Sequence, residues 1–303
     1  MAIYTNQMQA HCDRFEAALP AYMPATGGLQ TVVTEAMAYA CEGGGKRIRP
    51  VLLLEFCRLC GGNPEMAMPA AAAIEMIHSY SLVHDDLPCM DNSLLRRGKP
   101  STHAVYGETM ALLAGDGLLN LAFETILAPK NRGSLTADGV LGAASALADA
   151  AGIEGMVGGQ VIDLDSEGKQ IDLATLEALQ RGKTAALLIA ACVMGARMAD
   201  ATPAQEQAAR TLARGSVCPS RLSTTFWTSP PTPPSWASRW VATPKMKRLR
   251  TYLCWAWMRL AVWPSSVPPR RWRRWLCSAL TPTVCGSWQK LFCIEITKKG
   301  DFL

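Results

Sequence analysis

The segment MAMPAAAAIEMIHSYSLVHDDL, residues 66–87, is apolar around most of a helical circumference and ends on two adjacent aspartates. A helix with no wide polar face cannot lie at a surface, so other helices must enclose it. The flanking sequence supplies them. LQTVVTEAMAYACEGG has helical spacing and stops at Gly43-Gly44-Gly45, and Pro50 then sits in the first turn of RPVLLLEFCRLCGG, where a proline is tolerated. THAVYGETMALLAGDGLLNLAFETIL, LGAASALADAAGIEGMVGGQVIDLD and the Ala/Leu-rich run from Leu173 to Met198 repeat the pattern. No period-2 alternation marks a strand, and no unit repeats at fixed length. An all-α domain is expected over residues 1–214. Beyond it, Pro-Pro and Ser/Thr/Pro clusters break every helical window, so residues 215–303 form a second, irregular segment.

Charge divides the chain at the same place. The net charge of +5 averages two unlike parts. Residues 1–214 hold 16 Lys+Arg against 23 Asp+Glu, a balance of −7; residues 215–303 hold 14 against 2, a balance of +12. All nine tryptophans and ten of the nineteen prolines lie in the second part, and all four histidines in the first. Taken alone, a basic, tryptophan-rich tail is a candidate nucleic-acid or anionic-membrane element. The opening residues contain no apolar signal core, and no run of eighteen apolar residues occurs. A cytoplasmic protein that crosses no membrane is expected. The eleven cysteines read as a reduced set. Cys57 and Cys60 form a lone CxxC with no second ligand pair, so helical cysteines are expected there and not a zinc site.

Two motifs carry chemistry. In Asp85-Asp86-Leu87-Pro88-Cys89-Met90-Asp91, carboxylates stand on either side of a proline loop at the end of the buried helix, and Arg96-Arg97-Gly98 follows. Hard carboxylate oxygens suit Mg2+, which keeps several waters and bridges to phosphates. Arginine forks match phosphate oxygens. A solvated acidic loop is the plain alternative, and the apolar helix before it argues against that. In GGGKRIRP, residues 43–50, glycines expose backbone N–H groups ahead of cations and a helix start, which suits an anion. The alternative is a helix stop with solvated cations, and the spacing is not that of a Walker A loop. His78 lies seven residues before Asp85, hence on nearly the same helix face. Gly158-Gly159-Gln160, Asp163 and Lys183-Thr184 add polar groups downstream.

Together GGGKRIRP, EMIHSYSLVHDDLPCMDNSLLRRGKPSTH, GGQVIDLD and RGKTAALL resemble the blocks of the trans-prenyl diphosphate synthases, in that family's order, and within it the bacterial farnesyl diphosphate synthases (geranyltranstransferases). The resemblance covers roughly residues 25–214. It implies an isoprenoid-synthase-type bundle of antiparallel helices around a central cavity. It implies that Asp85, Asp86 and Asp91 bind Mg2+, up to three ions in an intact site, and clamp an allylic diphosphate with Arg96. Lys46, Arg49, His78 and Arg97 would hold isopentenyl diphosphate. Lys183 and Thr184 would reach the allylic side, and Tyr80 would favour a fifteen-carbon product. A homodimer, small-molecule diphosphate substrates, and neither nucleic-acid nor membrane partners are further implications. Asn92 stands where many relatives carry another aspartate.

The family's second aspartate motif, DDxxD, is missing: Asp301 is the sole aspartate among residues 215–303. Its place is taken by RLSTTFWTSPPTPPSW. Reading the codons one base earlier, Phe226 into Trp227 must give Leu and Trp227 into Thr228 must give Asp. Ser223-Thr224-Thr225 can give Asp-Asp, and Thr225 into Phe226 can give Ile. DDILD is therefore available at the right place. Trp236 into Ala237 and Trp240 into Val241 must both give Gly, which allows the glycine-lysine-glycine segment expected next. A frameshift near residues 213–219 is inferred, and wrong-frame translation explains the basic, aromatic tail better than a binding module does. The chain is expected to be a prenyltransferase by descent that no longer turns over. The competing readings are a non-catalytic diphosphate-binding helical protein and a helical domain with a nucleic-acid-binding tail.

Overall fold

A computed structural model of the chain describes residues 6–42 and 44–217, with side chains as far as Arg214. Helix α1 (Asn6–Ala18) leads through a 3-10 turn (Leu19–Tyr22) to α2 (Thr31–Glu42), α3 (Ile48–Leu59) and α4 (Met68–Asp85). A short hairpin, β1 (Leu95–Arg96) and β2 (Lys99–Pro100), precedes α5 (Thr102–Tyr106) and α6 (Glu108–Leu127). Then come α7 (Pro129–Arg132), α8 (Ala137–Ala151), α9 (Met156–Asp165), α10 (Leu173–Gln180), a π-helical turn (Arg181–Ala185), α11 (Ala186–Arg197) and α12 (Pro203–Val217).

The apolar helix is central, as its composition requires. Every residue of α4 from Met68 to Ile77 is buried. Its four alanines, Ala70–Ala73, let neighbouring backbones come close, and α4 packs on α6, α3 and α2. A second layer forms where α11 packs on α3, α8 and α12. Leu53, Leu54, Ile74, Ile77, Leu118, Leu147 and Leu187 are fully enclosed. Each contributes about 1.5–3 kcal/mol of apolar burial.

A charged pair lies inside this core. Glu75 is 2% exposed and accepts from Arg47 Nη1 at 2.8 Å. Arg47 also donates to Glu16 at 2.7 Å and to the Cys41 carbonyl at 2.8 Å. Of the cations in GGGKRIRP, Arg47 therefore turns inward and holds α1, α2, α3 and α4 together, with a positive φ of 47° at the start of α3. Removing one partner of such a pair strands the other in the core.

Local signals decide the helix ends. Gly44 and Gly45, φ 74° and 145°, carry the chain out of α2, and Pro50 lies in the first turn of α3, as expected. Thr136 Oγ1 caps α8 at Gly139 N, 3.0 Å, and Asp172 Oδ1 caps α10 at Thr175 N, 2.8 Å. Cys57 is buried in α3 and Cys60 follows that helix directly, and burial pushes their thiols up to about 12 and about 11, which suits structural cysteines.

Three expectations need correction. The run from Leu173 to Met198 is not one helix, because a π-turn at Arg181–Ala185 interrupts it. Strand structure is present, though it amounts to a two-residue ladder around Arg97-Gly98. The search for an unbroken apolar run also passed over two stretches long and apolar enough to span a membrane by composition alone, Ala137–Asp165 and the helix α6. Scattered Glu, Asp and Asn residues hid it from a search for an unbroken run; its buried side packs on α4 and α2. The outer side of α9 carries Val157, Val161 and Leu164 as an exposed stripe. The expected frame change falls at the end of α12, and the recoded motif and basic tail, residues 218–303, lie outside the described residues.

Candidate functional site

The aspartate loop is built by backbone hydrogen bonds that fold it back on α4. Asp85 is the last residue of α4 and Asp86 follows as its cap. Asp91 N donates to Asp85 O at 2.8 Å, Asn92 N to Leu87 O at 3.0 Å, and Ser93 N to Asp86 O at 3.1 Å. The first bond returns Asp91 to the helix end beside Asp85. Asn92 takes φ 48°, a conformation asparagine tolerates better than most residues, so the departure at this position serves the turn.

A cation from the far side of the fold meets these carboxylates. The π-turn presents Lys183, whose Nζ donates to Asp163 Oδ2 of α9 at 2.8 Å. Burial lifts the Asp85 carboxyl to about 6; Lys183 and Arg96 oppose that shift, while Asp91 and Asp86 add to it. Lys183 is pushed upward: burial works against its charge, but Asp85, Asp163 and Asp91 outweigh it. π-bulges occur often at functional sites because they re-aim a side chain within a helix. Here glycines permit the crossing. A Cβ on Gly159 would stand 2.1 Å from Lys183 N, and one on Gly182 would stand 2.7 Å from Gly155 O. Thr184 is half-buried in the same turn.

The second cluster lies where α3, α4 and the hairpin meet. Arg49 Nε is buried with no hydrogen-bond partner. His78 is held well below the usual histidine range, first by burial, then by the positive field of Arg49, Arg97, Arg96 and Arg47. Arg97 Nη1 donates to the Gly44 carbonyl. Gly45 takes φ 145°, a conformation that favours glycine, and a Cβ there would lie 2.5 Å from that guanidinium. Lys46 is exposed in the turn just before α3. Cations crowded around a neutral imidazole form a site for an anion.

The hairpin joins the two clusters. Its loop, Arg97-Gly98, has φ 53° and 79°, the geometry of a primed two-residue turn. Arg97 turns toward the glycine loop. Arg96 turns toward the aspartates, with Nε on Asp86 Oδ2 at 2.9 Å and Nη2 on Oδ1. Asp86 is thereby engaged at both oxygens by one guanidinium. Among the described residues no three Asp, Glu, His or Cys side chains close around a metal position. Asp85 and Asp91 nonetheless fit Mg2+, since a carboxyl raised first by burial and then by the neighbouring Asp91 is relieved by a hard cation that keeps most of its waters.

Tyr80, 7% exposed, lies one turn before these carboxylates with its ring 5.7 Å from that of His84. His84 was missed in the sequence. Its Nε2 lies 3.1 Å from Leu112 O, against Gly115 of α6, where a Cβ would stand 2.1 Å away. The pairing of Lys183 with Asp163, twenty residues apart, was equally hidden, although both residues stood out. The glycine spacing in GMVGG was its one visible sign.

Residues 30–216 match the family model described as Polyprenyl synthetase. The chain is 50% identical over 184 residues to a chloroplastic geranylgeranyl pyrophosphate synthase of Capsicum annuum, covering 60% of this chain and 49% of that protein. It is 50% identical over 173 residues to a farnesyl diphosphate synthase of Geobacillus stearothermophilus, covering 57% and 58%. The chain thus spans about half the length of the curated relatives it matches. A crystal structure of an FPP/GFPP synthase from Zymomonas mobilis superposes with TM-score 0.72 at 30% identity, covering 95% of this chain and 97% of that one.

Proposed function

The chain belongs to the polyprenyl synthetase family, and from that premise we propose that its described residues form the diphosphate-binding part of a prenyl diphosphate synthase. The substrates in this reading are isopentenyl diphosphate and an allylic diphosphate. The observation that carries it is the pairing of two unlike sites on one hairpin: carboxylates with Lys183 on one side, and cations around neutral His78 on the other.

The residues divide the work by charge. Lys183, Thr184 and Arg96 face the allylic diphosphate and stabilise negative charge as its C–O bond breaks. Mg2+ held by Asp85 and Asp91 would add Lewis-acid neutralisation of that leaving group. Arg49, His78, Arg97 and Lys46 orient isopentenyl diphosphate so that its double bond attacks the allylic cation. His78 is neutral, so it donates or accepts a hydrogen bond there without adding charge. The proton lost after condensation passes to the released pyrophosphate. The apolar wall that includes Tyr80 keeps water from the cation. Its aromatic ring next to the carboxylates favours farnesyl over geranylgeranyl diphosphate as the product, although relatives of both names match.

A second reading concerns the literal chain. Residues 215–303 contain one aspartate, Asp301, so the opposing carboxylates of a complete site are absent. The 303-residue chain then binds a diphosphate without turning it over. Calorimetry with geranyl diphosphate and Mg2+ tests this. Saturable, Mg2+-dependent heat is expected, and its absence would remove the diphosphate-site reading.

A further inference from the structure

Arg47 stands between Lys46 and Arg49 of the cation cluster, yet its side chain is fully enclosed. Three groups hold its guanidinium. Glu16 forks it, with Oε1 accepting from Nε at 2.7 Å and Oε2 from Nη2 at 3.3 Å. Glu75 Oε1 accepts from Nη1 at 2.8 Å, and the Cys41 carbonyl from Nη2 at 2.8 Å. The buried Phe15 ring adds a cation–π contact, 5.7 Å from its centre to the guanidinium carbon. Arg47 sits at φ 47° and ψ 35°, a left-handed conformation that a long side chain keeps only where its surroundings impose it. That conformation decides how the chain passes from Gly45 into α3, and so where Lys46 before it and Arg49 after it stand. Glu75 ties the same guanidinium to α4, one turn before His78 on the same side of that helix. Two of the holding side chains, Phe15 and Glu16, are neighbours on α1, a helix that precedes residues 30–216 of the family match. Glu16 also acts on the cluster through space: burial holds the Arg97 guanidinium below its ordinary range, and Glu75 and Glu16 oppose that.

We propose that Glu16 is a positioning residue of the cation cluster: through its fork on Arg47, helix α1 sets the turn that aims Lys46 and Arg49 at isopentenyl diphosphate. This role rests on the isopentenyl diphosphate reading of that cluster. The sign of the effect separates positioning from plain electrostatics. A carboxylate beside an anion site repels the anion, so removing its charge alone would tighten binding. Removing it as the acceptor of a buried Nε–H leaves that donor unmatched, since Glu75 and the Cys41 carbonyl take the Nη groups. The turn then relaxes and binding weakens.

The test is calorimetry of isopentenyl diphosphate on the full 303-residue chain, with EDTA present to exclude metal. Glu16→Gln should weaken binding about tenfold, the scale of one hydrogen bond to a charged group. Inorganic pyrophosphate with Mg2+, which reports the aspartate side, should bind that variant within about twofold of the parent, as expected of a separate site. Glu16→Asp keeps the charge but draws the carboxylate back by one methylene, so it should also lose affinity for isopentenyl diphosphate; it carries the test if Glu16→Gln fails to fold. Arg14→Gln breaks a different ion pair of α1, Arg14 with Glu65 at 3.1 Å, and should bind as the parent does. Unchanged or tighter binding in Glu16→Gln, parent affinity in Glu16→Asp, equal losses for the two ligands, or an equal loss in Arg14→Gln would each overturn the proposal. A parent chain that binds pyrophosphate with Mg2+ but no isopentenyl diphosphate would remove the reading of the cluster, and this role with it.

Discussion

Gly159→Ala is the sharpest perturbation of the site that touches none of its polar groups. The added Cβ would stand 2.1 Å from Lys183 N and 2.6 Å from Gly182 C, both backbone atoms. Ordinary contact begins near 3.4 Å, so α9 and the π-turn must separate by 3.4 − 2.1, about 1.3 Å. Alanine gains about 1 kcal/mol over glycine in a helix interior. Forcing a packed crossing apart costs about 1–3 kcal/mol, so the net change lies between about zero and about 2 kcal/mol of destabilisation. The effect on binding is the more specific one. Lys183 moves with its backbone, and its 2.8 Å bond to Asp163 does not survive a shift of that size. Loss of one charge-assisted contact predicts about tenfold weaker pyrophosphate binding with Mg2+. Denaturant melts and calorimetry measure the two effects on one sample. Unchanged affinity together with unchanged stability would refute the claim that this glycine crossing sets Lys183.

Two further perturbations follow from buried charge. Glu75→Gln leaves Arg47 in the core with Glu16 as its one carboxylate and should cost about 3 kcal/mol in a denaturant melt; a loss under about 1 kcal/mol would show that Glu16 and the Cys41 carbonyl suffice. His78 is held below its ordinary value of 6.5 by burial and four arginines, so the unfolded chain takes up the proton first. Stability should therefore fall as pH drops below 6.5, by up to about 1.4 kcal/mol per pH unit from this group, and His78→Gln should remove that slope. Melts of the two proteins at matched pH values with equal slopes would contradict it.

The helices were legible because their signals are local. The glycine stop after α2, the proline in α3 and the all-round apolar face of α4 each act within one or two turns. Asp85, Asp91 and the twin arginines were legible because they lie within one short segment. What stayed hidden depends on contacts between distant segments. Glu75 looks like an ordinary helical glutamate until α3 brings Arg47 against it. Asp86 looks like Asp85 until the hairpin returns Arg96 to it. The break at Arg181–Ala185 has no proline to announce it; it follows from the crossing at Gly155, Gly159 and Gly182. The reading of residues 218–303 came from codon arithmetic and lies outside the described fold.

The central claim proposed here is that a change of frame near residues 213–219 removed the opposing aspartates, and with them turnover, from a prenyl diphosphate synthase. Incorporation of isopentenyl diphosphate into geranyl diphosphate tests it directly, comparing the 303-residue chain with one whose codons beyond residue 213 are read one base earlier. The account predicts a fifteen-carbon diphosphate from the reframed chain and none from the 303-residue chain. Turnover by the 303-residue chain, or none by the reframed one, would contradict it.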